Sequence, residues 1–553
     1  MIGKVFSHAI LGLNAFEVVV EVDITEAAEF YFGVVGLPDA AVRESKERVH
    51  SALGNAGYYL PKARILVNLA PADIRKEGAA LDLPIALAIL GAEGRLNPGG
   101  AGSGGGRERE RETRNAESGT GKGPARTPDF FDDVPSGAAE NLLEQYSFVG
   151  ELSLDGEIKP VPGALVMAQG AKESGRRGLV VPPEMARQAA VVEGIKVYAA
   201  RHLRDAIAFI NGDLAMTPTQ VDVQTLYREA SQYADDFSDV RGQTLAKRGL
   251  EIAAAGSHNI LLVGPPGSGK TMLARRLPTI LPNLTIEESI ETTKIHSIAG
   301  EIGHGEPLMA TRPFRAPHHT ISNVALIGGG TYPRPGEVSL AHHGVLFLDE
   351  MPEFQRQALE VLRQPMEDGT VTISRAKMSV SFPARFLLCG AMNPGPNGTW
   401  DEPADKSVWK GQKAKQYRSR ISGPLLDRID LHIEAPAVKV RDLARSEPGE
   451  PSAAIRERVM AARLIQQRRY AGIKGVFCNA HLTARMVREF CKTTPEAQEH
   501  LESTIEKLGF SARAYDRILK VARTIADLDK ASELIQFPHI SEAAQFRNLD
   551  RYT

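Results

Sequence analysis

The sequence predicts an α/β multidomain chain, and three observations predict it. A continuous apolar run, NILLVG, is followed at once by a glycine-rich loop and a helical run, which is a strand–loop–helix unit with a buried parallel strand. Strand-like and helix-like segments alternate before that unit. Helical periodicity alone comes after it, from Ala453 onward. At roughly 100–200 residues per domain, 553 residues give about three or four domains.

Taken in order, FEVVVEVDI (16–24) alternates β-branched residues at a period near two and reads as a strand. Asp39 to Ala56 has apolar residues at helical spacing and ends at Gly57. RILVNLAP (64–71) is a second strand, and LDLPIALAILGA (81–92) a short buried helix. Residues 97–140 are rich in Gly, Ser and charge with no apolar period, and are expected to be a disordered insertion. Because periodic structure resumes at YSFVGELSLDGEIKPV (146–161), the insertion interrupts one domain, 1–212, instead of separating two. That domain continues through GALVMAQGAKESG, GLVVPP, IKVYAA and LRDAIAFING. Residues 213–238 read as a linker, 239–436 as the central domain and 453–553 as a helical domain.

Composition excludes several classes. Hydrophobic residues at 42% and charged residues at 24% are ordinary for a globular chain. Lys+Arg 66 against Asp+Glu 68 leaves no global positive field, so nucleic-acid binding would need a local patch. Residues 406–475 supply one candidate, with 16 Lys/Arg and 7 Asp/Glu, a balance of +9. Cys389, Cys478 and Cys491 are too scattered for a disulfide framework or a four-ligand zinc site, which suits a reducing cytoplasm. The N-terminus reads as a strand, and no apolar stretch is long enough to span a membrane.

The chemistry concentrates in the central domain. GPPGSGKT comprises Gly264, Pro265, Pro266, Gly267, Ser268, Gly269, Lys270 and Thr271. Between a strand and a helix this is a P-loop: glycines let backbone N–H groups turn toward phosphate oxygens, and the helix N-terminus adds partial positive charge. Lys270 can reach the β- and γ-phosphates of ATP, and Thr271 can ligate Mg²⁺. In GVLFLDE, four apolar residues deliver Asp349 to the metal and Glu350 to an attacking water. FLLCGAMNP is another strand ending in a polar amide, Asn393, suited to orienting that water. In SGPLLDRIDL, Arg428 lies between two acids and suits an arginine finger acting on a neighbouring subunit. In GFSARAYDRILKVARTIADL, Ser511 is placed to cap a helix with Arg513 in its first turn, where a cation is disfavoured. Arg513 therefore calls for an anionic partner, and a bound nucleotide is one candidate.

These strings, with RPFRAPHHTIS, LIGGG, PRPGEVSLAHHGVLFLDEMPEF, LRQPMEDG and PARF, resemble in order the Mg-chelatase-like AAA+ ATPases of the ComM/YifB family. GLPDAAVRESKERV, VNLAPADIRKEGAALDLPIALAIL and GELSLDGEIKPVPGAL resemble that family's first domain. The resemblance implies a Lon-protease-like (S5-type) N-terminal domain, a P-loop AAA+ α/β domain and a C-terminal helical lid. It implies a homo-oligomeric ring, usually a hexamer, with ATP and Mg²⁺ between subunits. The family's best-understood members are DNA helicases that drive branch migration during natural transformation. By position, Lys270 and Thr271 are Walker A, Asp349 and Glu350 Walker B, Asn393 sensor 1, Arg428 the trans finger and Arg513 sensor 2. Arg517 also matches a motif position, without an assigned role. Insert hairpins at 320–340 and 368–383 are the candidates to line the pore, with Arg375 and Lys377 as the expected DNA contacts.

Two departures qualify the resemblance. NPGPNG (393–398) replaces the family's usual NPCPCG, which removes a zinc site there and leaves Trp400 and Trp409 to shape the loop by packing. Where Lon-type proteases carry Ser and Lys, this chain has Ala79, Ala80 and Met167, so no hydrolytic dyad exists and the domain reads as a scaffold or interaction module. His318, His319, His342 and His343 read as nucleotide-edge, pore or packing residues instead of metal ligands. The alternative to a DNA motor is a chelatase-type motor subunit that remodels a partner protein.

Overall fold

The computed structural model describes residues 2–76, 78–97, 141–302, 306–330, 333–375, 378–395, 416–417, 419–437, 449–508, 512–530 and 533–547. The expected insertion at 97–140 falls outside them except for Asn97, as do Lys377, Ser511, Trp400, Trp409 and about a third of the basic 406–475 segment. The chain divides into two units, Met1–Ala9 with Ala15–Gln220 and Ile10–Asn14 with Val221–Thr553.

The first unit is a seven-stranded sheet in the order Tyr31–Val35, Ala63–Ala70, Asn14–Glu26, Ile2–Leu11, Tyr146–Phe148, Gly178–Val181, Lys196–Ala199. The last three pair in parallel, and helices such as Ala164–Glu173 supply the crossovers. The helix at Ala40–Asn55 starts where expected because the Asp39 carboxylate accepts from Val42 N at 2.8 Å. Helix Asp82–Ala92 is buried almost all round, as its unbroken apolar sequence requires.

The second unit is built on a five-stranded parallel sheet in the order Phe314–Arg315, Val345–Leu348, Leu387–Met392, Ile260–Val263, Leu431–Glu434. Strand Ile260–Val263 is buried on both faces. Leu262 joins a core with the helical region, including Leu273, Val459 and Ile518, while Leu261 and Val263 join a second core with Met351, Phe354 and Leu388. The helical region comprises Ser452–Arg469, Ala484–Phe490, Pro495–Leu508, Ala512–Leu528 and Phe537–Gln545, and packs on helix Thr244–Gly256.

The expected linker, 213–238, spans the division between the two units. Residues from Val221 onward belong to the second unit: Tyr227 hydroxyl donates to Leu284 O, and Tyr233 hydroxyl accepts from Arg312 N at 3.0 Å. The Thr, Pro and Gln composition suggested a spacer, and the two tyrosines that anchor it carry no local pattern.

Candidate nucleotide site

Three strands of the central sheet end side by side. Register pairs Val263 with Met392 and Leu348 with Gly390, so Gly264, Asp349 and Asn393 all leave from the C-terminal edge. In an open parallel sheet that edge is where ligands bind. The glycine loop meets its strand closely: a Cβ on Gly264 would lie 2.1 Å from Ala435 O, and Gly269 is left-handed (φ 89°) as it turns into helix Lys270–Ile280.

Within this loop Lys270 Nζ donates to Gly264 O at 2.7 Å, Pro265 O at 2.9 Å and Asn393 Oδ1 at 3.3 Å. Burial lowers the Lys270 pKa, and the nearby charges of Asp349 and Glu350 oppose that shift. Thr271 Oγ1 donates to Asp349 Oδ2 at 2.8 Å, which joins two hard oxygen ligands of the kind Mg²⁺ takes. Ser268 Oγ is buried with no hydrogen-bond partner among the described residues. Glu350 has φ 50°, a conformation uncommon for a residue with a side chain and found at functional sites. Its carboxylate is 56% exposed and lies 3.9 Å from His319 Nδ1, whose ring packs on His318. Lys270, Thr271, Asp349, Glu350 and Asn393 therefore form one cluster, and the residues present fit a Mg²⁺-bound triphosphate.

One contributor carried no recognisable signal in the sequence, and a second was read there only as a nucleotide-edge, pore or packing residue. Gln243, in a left-handed conformation (φ 54°) before helix Thr244–Gly256, donates from Nε2 to Ser268 O at 3.0 Å and to Pro436 O at 2.7 Å, bracing the loop from behind. His319 is the other: its sequence pairing with His318 left its role open.

Arg428 and Arg513 lie elsewhere. Asp430 N and Leu431 N both donate to Asn259 O, and Asn259 Nδ2 donates to Arg428 O, so Arg428 sits where Ile260–Val263 begins, not where it ends. Four residues of strand place the two edges about 13 Å apart. Arg428 Nη1 donates to Pro424 O at 2.7 Å, Nη2 pairs with Glu367, and Nε is buried with no hydrogen-bond partner among the described residues. Arg513 is 73% exposed and reaches Asp427 at 3.4 Å, while Arg517 lies 3.9 Å from Asp430. The helix that carries Arg513 takes it to the strand starts, away from the P-loop residues of the same chain. A groove of about 830 Å³ opens at this edge, lined by Arg312, Arg385, Arg428, Arg463, Arg517 and Lys520 together with acidic residues.

Of the two expected insert hairpins, Thr370–Arg375 and Met378–Pro383 form a regular antiparallel pair with Arg375 opposite Met378 near the tip. Among the described residues of the 320–340 segment, Gly328–Gly329 pairs with Arg334–Pro335, between helices Asn323–Ile327 and Glu337–Leu340.

His342 and His343 gather with Glu291, ligand atoms within 4.8 Å of one another. His342 Nδ1 accepts from Arg385 N at 2.9 Å, so a neutral His342 carries its proton on Nε2 and has no lone pair there for a metal. In the first unit, Ala80 and Met167 are buried. The turn Ala79–Leu81 leads to Asp82, which is held by Ser45 and by Arg48 Nε at 2.6 Å. All three cysteines are free and buried, and no described helix is long and apolar enough to cross a membrane.

The fold and this edge of the sheet define a class, the Mg-chelatase-like AAA+ proteins. Family models agree: "Magnesium chelatase, subunit ChlI" matches residues 236–443, its C-terminal model 449–547, and "Subunit ChlI of Mg-chelatase" 20–99 and 136–185. The chain is 41% identical to YifB of Escherichia coli (strain K12) over 99% of its length and 97% of that protein's. It is 40% identical to the competence protein ComM of Haemophilus influenzae over the same shares. The 67 kDa magnesium-chelatase subunit of Chlorobaculum parvum is 30% identical over 29% of this chain and 23% of its own. The chain belongs to the ComM/YifB family of Mg-chelatase-like AAA+ proteins.

Proposed function

We propose that the chain is an ATP-hydrolysing motor that works as a homo-oligomeric ring, a hexamer by resemblance, on DNA. The observation that carries the reading is the separation of parts. Lys270, Thr271, Asp349, Glu350 and Asn393 share the C-terminal edge of the sheet, while Arg428 and Arg513 occupy the opposite one. A site divided in this way is completed by a neighbouring protomer presenting its other edge.

In the proposed mechanism Lys270 leaves its loop carbonyls for the β- and γ-phosphates, and Thr271 and Asp349 would hold Mg²⁺. The metal supplies charge neutralisation on the phosphate oxygens. Glu350 polarises the attacking water and Asn393 orients it. Arg428 and Arg513 of the adjacent protomer stabilise the charge that develops. The hairpin Thr370–Pro383 contacts the DNA backbone, with Arg375 and Lys377 proposed as the contacting residues.

The likeness to the competence protein ComM supports a role as a helicase or branch-migration factor in recombination during natural transformation. The first unit, proposed to have the Lon-protease-like fold, serves as a scaffold without protease activity, and the site of action is the cytoplasm. The partial likeness to a magnesium-chelatase subunit supports the alternative, a motor that remodels a partner protein. The test is ATP turnover with and without single-stranded or branched DNA. Stimulation by DNA is expected, and its absence favours the protein remodeller.

A further inference from the structure

The residue that meets the Arg428 guanidinium is Glu367, which belongs to helix Arg363–Asp368. That helix ends at Gly369 (φ 66°), and Thr370 then opens the hairpin. Ala384 N donates to Gly369 O at 2.8 Å, closing the base of the hairpin across the same residue. Glu367 therefore stands two residues from the root of the hairpin and in contact with the candidate finger. The guanidinium has room to move, since Arg428 lines both the groove of about 830 Å³ and a second cavity of about 400 Å³ beside Glu360, Glu367 and Thr372. The same short segment is tied to the helical region through Asp427 and Arg513.

We propose that Glu367 is a positioning residue: it sets the Arg428 guanidinium, and through Gly369 it ties that guanidinium's position to the hairpin. The proposal rests on the reading of Arg428 as a finger acting on a neighbour's nucleotide. When Arg428 swings toward that nucleotide it draws on, or leaves, the carboxylate at the hairpin root. One charge pair then links hydrolysis at a seam to the element placed to touch the substrate. A carboxylate that acts only through Arg428 has a definite signature. It alters turnover without altering nucleotide affinity, and it has nothing left to alter once Arg428 is gone.

The experiment measures ATP turnover, labelled-nucleotide affinity and thermal midpoint on the full-length chain carrying E367A, E367Q, R428A or E367A with R428A, with and without an oligothymidylate single strand. Expected for E367A and E367Q are unchanged nucleotide affinity and thermal midpoint, a kcat lowered about tenfold, and loss of stimulation by the single strand. The double variant should be no slower than R428A alone. Wild-type turnover and stimulation in both Glu367 variants, or losses that add in the double variant, would overturn the proposal. E367Q keeps the side chain's size and covers a folding failure of E367A. The underlying reading fails separately: wild-type turnover in R428A ends the finger assignment. A wild-type chain that the strand does not stimulate ends the DNA reading, and the kcat cycle still decides the Glu367–Arg428 coupling.

Discussion

The two edges of the central sheet are made by the same five strands and differ in almost every physical respect. At the C-terminal edge the functional groups are held by one another: Lys270 by two carbonyls and Asn393, Thr271 by Asp349. At the N-terminal edge the cations are held by groups from distant segments, Arg428 by Glu367 and Arg513 by Asp427. Arg428 and Arg463 line a wide groove there, and their Nε groups are buried without hydrogen-bond partners among the described residues. The first arrangement is a preorganised pocket for a ligand. The second is a surface whose charges become useful only when something negative is brought to it. The difference supports the proposal that each chain holds two complementary halves of a site.

The largest effect should come from testing that complementarity. R428A is expected to lower ATP turnover by about 10³–10⁵ while nucleotide binding persists, because the finger acts on developing charge. E350Q should bind ATP and lose about 10²–10⁴ in turnover, through loss of the group that polarises water. Mixed in one preparation, the two inactive variants should recover part of the turnover, since a seam can join an intact Glu350 with an intact Arg428. Recovery measured by phosphate release supports the two-edge reading, and a mixture as inactive as its components breaks it.

The C-terminal edge was legible in the sequence and the N-terminal edge was not. Apolar runs that end in GPPGSGKT, in Asp349–Glu350 and in Asn393 announce their own position, because a parallel strand buries its middle and presents the residues just past its end. Arg428 and Arg513 stood in recognisable strings, but which edge they reach depends on how helix Ala512–Leu528 packs and where strand Leu431–Glu434 begins. No local pattern encodes either. Gln243 and Glu367 were silent for the same reason: each acts through a contact more than 20 residues away. The 320–340 segment, expected as a hairpin from the resemblance, carries a short antiparallel pair, Gly328–Gly329 with Arg334–Pro335, and Ser322 caps a short helix just before it.

A smaller effect is expected at the C-terminal edge itself. Q243A removes the donor that serves the buried Ser268 O and the exposed Pro436 O, and loss of the buried hydrogen bond costs about 1–3 kcal/mol. Part of that cost should appear as weaker nucleotide binding, read by titration with a fluorescent ATP analogue, with kcat at saturation nearly unchanged. If kcat falls and affinity holds, Gln243 acts on the chemistry and the account of the pocket as preorganised by its own backing is wrong.

The smallest expected effect separates the edges by pH. His342, just before strand Val345–Leu348, has its pKa lowered from 6.5 to about 4, first by burial, with His343 and Arg385 adding to the shift and Glu291 opposing it. The folded form holds the neutral imidazole, so between those values the unfolded chain binds more protons than the folded one. Stability must fall as pH falls through that window, by on the order of 2 kcal/mol. H342N keeps an acceptor for Arg385 N but does not titrate, so the drop in thermal midpoint between about pH 7 and pH 5 should shrink in that variant. At the other edge the sign reverses in effect. Lys270 binds phosphate as a cation, and burial lowers its pKa, so nucleotide affinity should be lost as pH rises and be little changed in mild acid. Acid therefore loosens the edge that carries Arg428 and base disarms the edge that carries Lys270. Parallel loss of nucleotide affinity and stability at the acid end would show that the two edges are not independent.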